Sequence, residues 1–396
     1  MTDMRFSIVI PYKQRLNNIR AVLTSLCEQD LEPWSFEVVI GAMEYDPAFV
    51  ALCEEFTGRL RIVSVLSAEE WNTSKARNLG IRQSLGRVVV VLDADVVLAT
   101  DALRNLWQTY YRHGQNVCVQ GEVFGYDDVL DEDIDMVAAQ PYSVYRTALE
   151  ELDAAPLGRR DPRWSPEYAA AIARFPWAFV RTGFMALPAS VIRDHGLLLD
   201  EGFLGWGAED QEWGLRISRT GTPIVLGQGV RGMHLPHHRD FAAQDLSAGV
   251  TNRYYLAKWP RLELEMALAL GGWLEAERHL PEVERQMDVV AGAGKRLGVA
   301  LGTVGGTRVL VVGAVLVASA DGHHTLIDAT GAALFAPWPN GHEEVMPLLG
   351  LALPYEDATF DECHLLPAVD QLSEPYRQAV RREAGRVSKK VLPVSP

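Results

Sequence analysis

Four groups of residues combine reactive side chains with a spacing that chemistry can use. The first is Asp93-Ala94-Asp95, which closes the apolar run RVVVVL. Carboxylates at i and i+2 leave the same side of an extended chain, so both can face one hard divalent cation. In that geometry Asp95 binds the metal directly, while Asp93 meets a ribose, the metal through water, or both. The second group is a pair of basic loops, Pro11-Tyr12-Lys13-Gln14-Arg15 and Thr73-Ser74-Lys75-Ala76-Arg77-Asn78. Each opens a helical stretch, where backbone N–H groups and cations can meet phosphate or base edges; ordinary surface cations are the competing reading for Lys13 and Lys75. Glu44, after VVIGAM, can hydrogen-bond a base or ribose, or be a solvated loop charge.

The third group is Gly205-Trp206-Gly207-Ala208-Glu209-Asp210. Two glycines permit a tight turn, and an exposed Trp between them offers a flat face to a sugar or other acceptor. Glu209 and Asp210 fall at a helix N-terminus, whose dipole favours their ionised forms; either is a candidate general base. Simple charge complementarity at the helix end, worth roughly 0.3 to 1 kcal/mol, is the alternative. The fourth group is Met233-His234-Leu235-Pro236-His237-His238. An imidazole can complete the shell of a manganese-type ion bound by a carboxylate, diphosphate oxygens and water, with His234 the first choice and His237 the second. Zinc is the competing metal, but no cysteine stands at a suitable spacing.

Positioning these groups requires a parallel sheet. FSIVIPY, FEVVIGA, LRIVSVL and RVVVVLDAD read as strands buried on both faces, separated by helical stretches at Asn17 to Glu28, Pro47 to Gly58 and Lys75 to Leu85. A βαβαβαβ order makes a doubly wound sheet, and the loops from Pro11, Gly41, Ser67 and Asp93 then converge at the carboxyl ends of the strands. The stretch from Asp127 to Phe175, acidic and then rich in Pro, Arg and Trp, reads as an irregular excursion over the site. A helical stretch at Leu262 to Arg285 ends the first domain, and TRVLVVGAVLVA, HHTLIDA and FDECHLLPAV read as strands of a second.

The 396 residues, 48% hydrophobic and 22% charged, suffice for two cores. A formal net charge of -15 argues against nucleic acid as a partner, since a phosphate backbone is gripped by a basic surface. Cys27, Cys53, Cys118 and Cys363 are scattered and read as reduced core thiols. No apolar run reaches the length of a membrane span and the first strand is too short for a signal-peptide core, so the expected location is the cytoplasm.

With SIVIPYKQR, KARNLGI, VVVLDADV, FLGWGAEDQEWGLRI and MHLPHHRD in this order, the chain resembles glycosyltransferase family 2, and the later part of that region is similar to the galactosyltransferase and chondroitin polymerase groups. The resemblance implies an α/β GT-A fold with a mixed, mostly parallel sheet over residues 1–285, and an inverting transfer of a hexosyl group from a nucleotide-diphosphate sugar, with a UDP-sugar favoured and Mn2+ or Mg2+ as cofactor. It implies that Asp95 and a histidine, His234 or His237, hold the metal, that Asp210 deprotonates the acceptor with Glu209 beside it, and that Gly205, Trp206 and Gly207 form the acceptor platform. Donor contacts would come from Pro11, Tyr12, Arg15, Glu44, Lys75, Arg77, Asp93 and Ala94. The acceptor would be a carbohydrate, a small molecule or a peptide. PYKQR departs from the usual loop by its Lys-Gln pair, and Glu44 stands where many relatives carry an Asp-rich loop. Residues 296–396 more distantly resemble a class I methyltransferase whose glycine-rich cofactor turn is missing, which implies a non-catalytic domain for acceptor binding, homodimerisation or docking; Asp328 is the residue that would hold a cofactor ribose. Two other functions fit parts of the pattern: a nucleotidyltransferase, which has no use for Gly-Trp-Gly-Ala-Glu-Asp, and a silent carbohydrate-binding scaffold, which has no use for the Asp pair and histidines.

Overall fold

The computed structural model describes residues 4–125, 140–152, 160–237, 240–292, 294–318, 323–326 and 344–393. The chain divides into two compact units, Met1–Thr251 and Asn252–Pro396.

In the first unit the apolar runs form β1 (Phe6–Tyr12), β2 (Phe36–Ala42), β3 (Ile62–Leu66) and β4 (Val88–Leu92), joined by α1 (Leu16–Cys27), α2 (Pro47–Phe56) and α3 (Thr73–Gln83). These four strands are parallel in the order β3-β2-β1-β4. Every residue of β1, β2 and β4 is buried, as strands covered on both faces require. Their side chains alternate between two cores: Ile8 and Ile10 pack in one, Val9, Val89 and Val91 in the other with Ile81 of α3. Burying each such side chain stabilises the fold by roughly 1.5–3 kcal/mol.

The sheet then turns mixed. After β5 (Val96–Leu98), α4 (Ala102–Leu106), β6 (Cys118–Phe124), α5 (Tyr142–Glu150) and α6 (Ala169–Arg174), the chain returns as β7 (Phe184–Pro188), α7 (Ala189–His195), α8 (Glu209–Arg219) and β8 (Ile224–His234). β7 lies antiparallel between β4 and β6, β8 runs parallel to β6, and β5 pairs antiparallel with β8, giving the order β3-β2-β1-β4-β7-β6-β8-β5. Part of the expected excursion from Asp127 to Phe175 lies outside the described residues; its described parts hold two short helices and 3-10 turns.

The division at Thr251 falls earlier than the boundary at residue 285 expected from sequence, inside α9 (Phe241–Lys258). The physical reason is that α10 (Leu262–Leu270) and α11 (Trp273–Ala291) are tied to the second unit. The buried Glu265 carboxylate accepts backbone N–H groups of Leu349, Gly350 and Leu351 at 2.6–2.8 Å, His279 meets the Tyr376 hydroxyl at 2.8 Å, and Gln286 donates to Ser373 at 2.7 Å.

The second unit carries a mixed six-stranded sheet of β9 (Arg296–Val304), β10 (Thr307–Ala318), β11 (His324–Leu326), β12 (Glu344–Met346), β13 (Phe360–Leu365) and β14 (Ser388–Pro393). The neighbours β10–β13 and β13–β14 pair parallel, whereas β9–β10, β10–β11 and β9–β12 pair antiparallel. Gly313 does not end β10 but sits inside it at a bulge, with φ +87°, and a Cβ there would come within 2.9 Å of Val369. Asp328 lies outside the described residues. No helix among the described residues is long and apolar enough to cross a membrane.

Candidate functional site

The parallel sheet has its topological switch at β1, which leads into α1 on one side while β4 lies on the other. The loops after β1 and β4 therefore open one crevice at the carboxyl ends of the strands. Its volume is about 750 Å³, within the range of small-molecule sites. Pro11, Lys13, Gln14 and Arg15 line it from the first loop and Asp93, Ala94 and Asp95 from the second; Trp71, Thr73 and Arg77 come from the approach to α3, and Trp206, Gly207, Ala208, Glu209 and Asp210 from the start of α8.

Each position has a structural cause. Gly41 of β2 lets α3 lie against the sheet: a Cβ there would stand 1.9 Å from the Ala76 carbonyl oxygen. Asn72 caps α3 by accepting the Lys75 N–H at 2.8 Å, and its amide donates to the carbonyls of Glu201 and Phe203. Arg77 is thereby delivered, buried, into a group of carboxylates. Its guanidinium stands 3.0 Å from Asp93, 3.2 Å from Glu209 and 3.6 Å from Asp210. Burial works against its charge, but Asp93, Asp210 and Glu209 together outweigh that and raise its pKa above the usual value. Glu209 departs from the expectation that the helix end keeps it ionised: burial, then Asp210, push its carboxyl up to about 7 against the opposing pull of Arg77.

Asp210 is held differently. Its two oxygens accept from the Thr182 hydroxyl at 2.6 Å and the Thr182 N–H at 3.1 Å. That segment is in turn fixed by Gln120, whose side-chain oxygen accepts both the Arg181 N–H at 2.8 Å and the buried Arg163 guanidinium at 3.0 Å. The β6–β8 register shifts between Gln120 and Glu122, a bulge of the kind that re-aims a side chain.

The histidines reach Asp95 through strand pairing. β5 and β8 place Val96 opposite His234, and the Leu235 N–H donates to the Asp95 carbonyl at 2.7 Å. The His234 Nε2 then lies 3.7 Å from one oxygen of the buried Asp95 carboxylate and the His237 Nδ1 3.5 Å from the other. Ligand atoms of Asp95, His234 and His237 all fall within 4.8 Å of one another. One carboxylate and two imidazoles, with the crevice open beside them, fit a Mn2+-type ion that keeps room for oxygens of a ligand. Arg15 forms an ion pair with the same carboxylate.

Trp206, 55% exposed, lines the crevice from the turn that leads into α8. Its backbone N–H donates to Ser247 at 2.6 Å, and its carbonyl accepts from Thr251 at 3.2 Å, so α9 carries the turn. Gly205 has φ +120°, and a Cβ there would meet the Ser247 oxygen at 2.2 Å, so this position admits glycine alone without rearrangement.

Four residues expected at the donor or acceptor are placed elsewhere. The Tyr12 ring is fully buried, stacked on Phe49 at 4.0 Å between centroids, because its position on β1 points it into the core. Glu44 accepts the Gln14 N–H at 2.7 Å, Lys75 pairs with Glu69, and Gly205 supports the Trp206 turn; none of these lines the crevice. Sequence reasoning missed Trp71, Arg181, Gln244, Gln120 and Thr182. Trp71 lies under the Lys13 ammonium at 6.0 Å, and its place just before the cap of α3 was the one available signal. The four cysteines are free thiols, Cys118 and Cys363 buried.

The profile of the family described as Glycosyl transferase family 2 matches residues 7–157. Validoxylamine A glucosyltransferase of Streptomyces hygroscopicus subsp. limoneus is 27% identical over 290 residues, which are 69% of this chain and 62% of that protein. The chain thus spans about three-fifths of the length of that relative. Poly(ribitol-phosphate) beta-N-acetylglucosaminyltransferase TarS of Staphylococcus aureus (strain Mu50) is 27% identical over 103 residues, 26% of this chain and 18% of that one. Among solved structures, the mannosyltransferase PcManGT from Pyrobaculum calidifontis, in complex with GDP-Man and Mn2+, aligns over 97% of this chain and 85% of its own at 15% identity and a TM-score of 0.46.

Proposed function

We propose that the first unit, whose residues 7–157 match the model of glycosyltransferase family 2, is a GT-A transferase that moves a hexosyl group from a nucleotide-diphosphate sugar to an acceptor hydroxyl with inversion. The relatives named as glucosyl- and N-acetylglucosaminyltransferases favour a hexosyl donor, and a UDP-sugar is the first choice. The observation that carries the reading is that one crevice is lined both by the Asp95–His234–His237 cluster and by Asp210.

In this reaction the acceptor oxygen attacks the anomeric carbon as the bond to the diphosphate breaks; the acceptor proton goes to Asp210 and the bonding electrons leave with the diphosphate. Asp95, His234 and His237 would hold a divalent ion, which would supply counter-charge to that leaving group. Asp93 and the first loop hold the nucleotide. Arg77 spans Asp93 and the α8 carboxylates, which fixes the donor and acceptor halves in one register. Trp206 and Gln244 offer the acceptor a stacking face and an amide. Glu209, held by Arg77 and protonated over much of the acidic range, supports Asp210 rather than sharing its task. The second unit takes no step in transfer on this reading; its role is acceptor or partner binding, and S-adenosylmethionine binding would instead favour a working methyltransferase-like domain.

A thermal-shift panel of UDP, GDP, dTDP and CDP with their sugar conjugates, with and without Mn2+, tests the proposal on wild type and Asp95→Ala. One nucleotide should stabilise the wild type in a Mn2+-dependent way that the variant loses. A folded protein that responds to none of them would favour a silent scaffold.

A further inference from the structure

Asp95 is a carboxylate with 4% of its side chain exposed, and the groups around it are two imidazoles and the head of Arg15. Such a charge is costly unless a cation meets it. Arg15 supplies that cation, with its guanidinium on the oxygen of Asp95 that also faces the His237 Nδ1. This is an atom that a divalent ion between Asp95 and His237 would need. Two cations cannot share it without strong repulsion, so one must leave.

Arg15 is built to be the one that moves. Its side chain is 43% exposed and lines the crevice, whereas its backbone is anchored: the Arg15 carbonyl accepts the Ile19 N–H at 3.0 Å in the first turn of α1. The preceding residue is fixed as well, since Gln14 holds φ +55° with its N–H bonded to Glu44. The loop therefore stays while the guanidinium swings. A diphosphate in the crevice is the acceptor geometry a guanidinium prefers, offering paired hydrogen bonds and a second negative charge.

We propose that Arg15 is the resident counter-ion of Asp95 and exchanges onto the diphosphate, so that the metal site is closed in the free protein and opens when nucleotide binds. The proposal rests on the divalent-metal reading of this cluster. Its consequence is strong positive coupling between metal and nucleotide, and by linkage each must raise the affinity of the other by the same factor.

The test is a titration of the full chain with Mn2+, followed by the electron paramagnetic resonance signal of the free ion, with and without saturating UDP, on wild type, Arg15→Met, Arg15→Lys and Asp95→Asn. UDP should tighten Mn2+ binding to the wild type by about tenfold or more. Arg15→Met should bind Mn2+ without UDP about tenfold more tightly than wild type, and its coupling to UDP should shrink by the same factor. Arg15→Lys should fall between the two, and Asp95→Asn should bind little Mn2+ under any condition. Equal or weaker Mn2+ binding by Arg15→Met, in a protein whose wild type binds Mn2+ with UDP and whose Asp95→Asn form does not, would overturn the proposal and leave the metal reading standing. Absence of Mn2+ binding by every form, with UDP or without, would overturn both.

Discussion

Thr182→Val removes the hydroxyl that donates to Asp210 behind the crevice wall and changes almost nothing else. Thr182 is fully buried and valine matches its shape, so the variant leaves neither a cavity nor an overlap. What it loses is the 2.6 Å hydroxyl bond to Asp210. That carboxylate then keeps only the Thr182 N–H at 3.1 Å, while the Arg77 guanidinium waits 3.6 Å away. Without the hydroxyl, Asp210 should rotate onto Arg77 and cease to face the acceptor. A hydrogen bond to a charged group contributes about 1.5–3 kcal/mol. If that preference is what keeps the base in place, turnover should fall roughly 10- to 150-fold. The assay is initial-rate release of nucleotide from the sugar donor, with donor affinity measured separately by Mn2+-dependent thermal shift. Donor affinity should not change, because the bond lost is on the acceptor side, and Thr182→Ser should restore most of the rate. Unchanged turnover, or a loss of donor affinity equal to the loss of turnover, would refute the assignment of Asp210 as a base oriented by Thr182.

Two other measurements follow from the same geometry. Trp206→Ala should raise the acceptor KM by roughly 2- to 10-fold, the worth of a stacked aromatic pair, without altering the donor-induced thermal shift; a loss of donor response would move Trp206 to the nucleotide. Burial and Asp210 raise the Glu209 carboxyl from its ordinary 4.5 to about 7, so the folded protein holds this proton more tightly than the unfolded chain does. Its contribution to stability is therefore complete below 4.5 and disappears as pH rises through 7. Wild type should lose stability between pH 5 and pH 8 relative to Glu209→Gln in chemical denaturation, and parallel stability curves for the two would count against a raised Glu209.

Much of the frame was legible because its signals are local. Four apolar runs separated by helical stretches read as strands of a parallel sheet, and β1 to β4 and α1 to α3 follow within a few residues; β3, expected to be buried on both faces, is half-exposed because it is the edge strand. The Asp93–Asp95 pair and the Gly-Trp-Gly turn are likewise short-range patterns, and the structure brings Asp93, Asp95, Trp206 and Gly207 to the crevice. The strands β5, β6, β9, β12 and β14 carry no such local signal. β5 spans three residues beside the acidic turn, β6 is interrupted by Gly121 and Glu122, and β9 opens on charged residues in what reads as a linker.

What the sequence by itself determined is which chemistry is available: the carboxylate pair, the histidines, and a Trp between glycines at the start of a helix. Which side chains share a site was decided by tertiary structure. His234 stands beside Asp95 because β8 pairs with β5 in one register, and a slip of one residue would send it to the other face of the sheet. Tyr12 follows Pro11 in the same loop motif, yet strand alternation turns it into the core. Glu209 and Asp210 are neighbours of like charge, and only their surroundings separate them: Glu209 is buried against Arg77, whereas Asp210 meets the hydroxyl of Thr182. Local patterns specify a strand or a turn; the direction of a side chain and the charge it carries depend on partners that the chain brings back from far away.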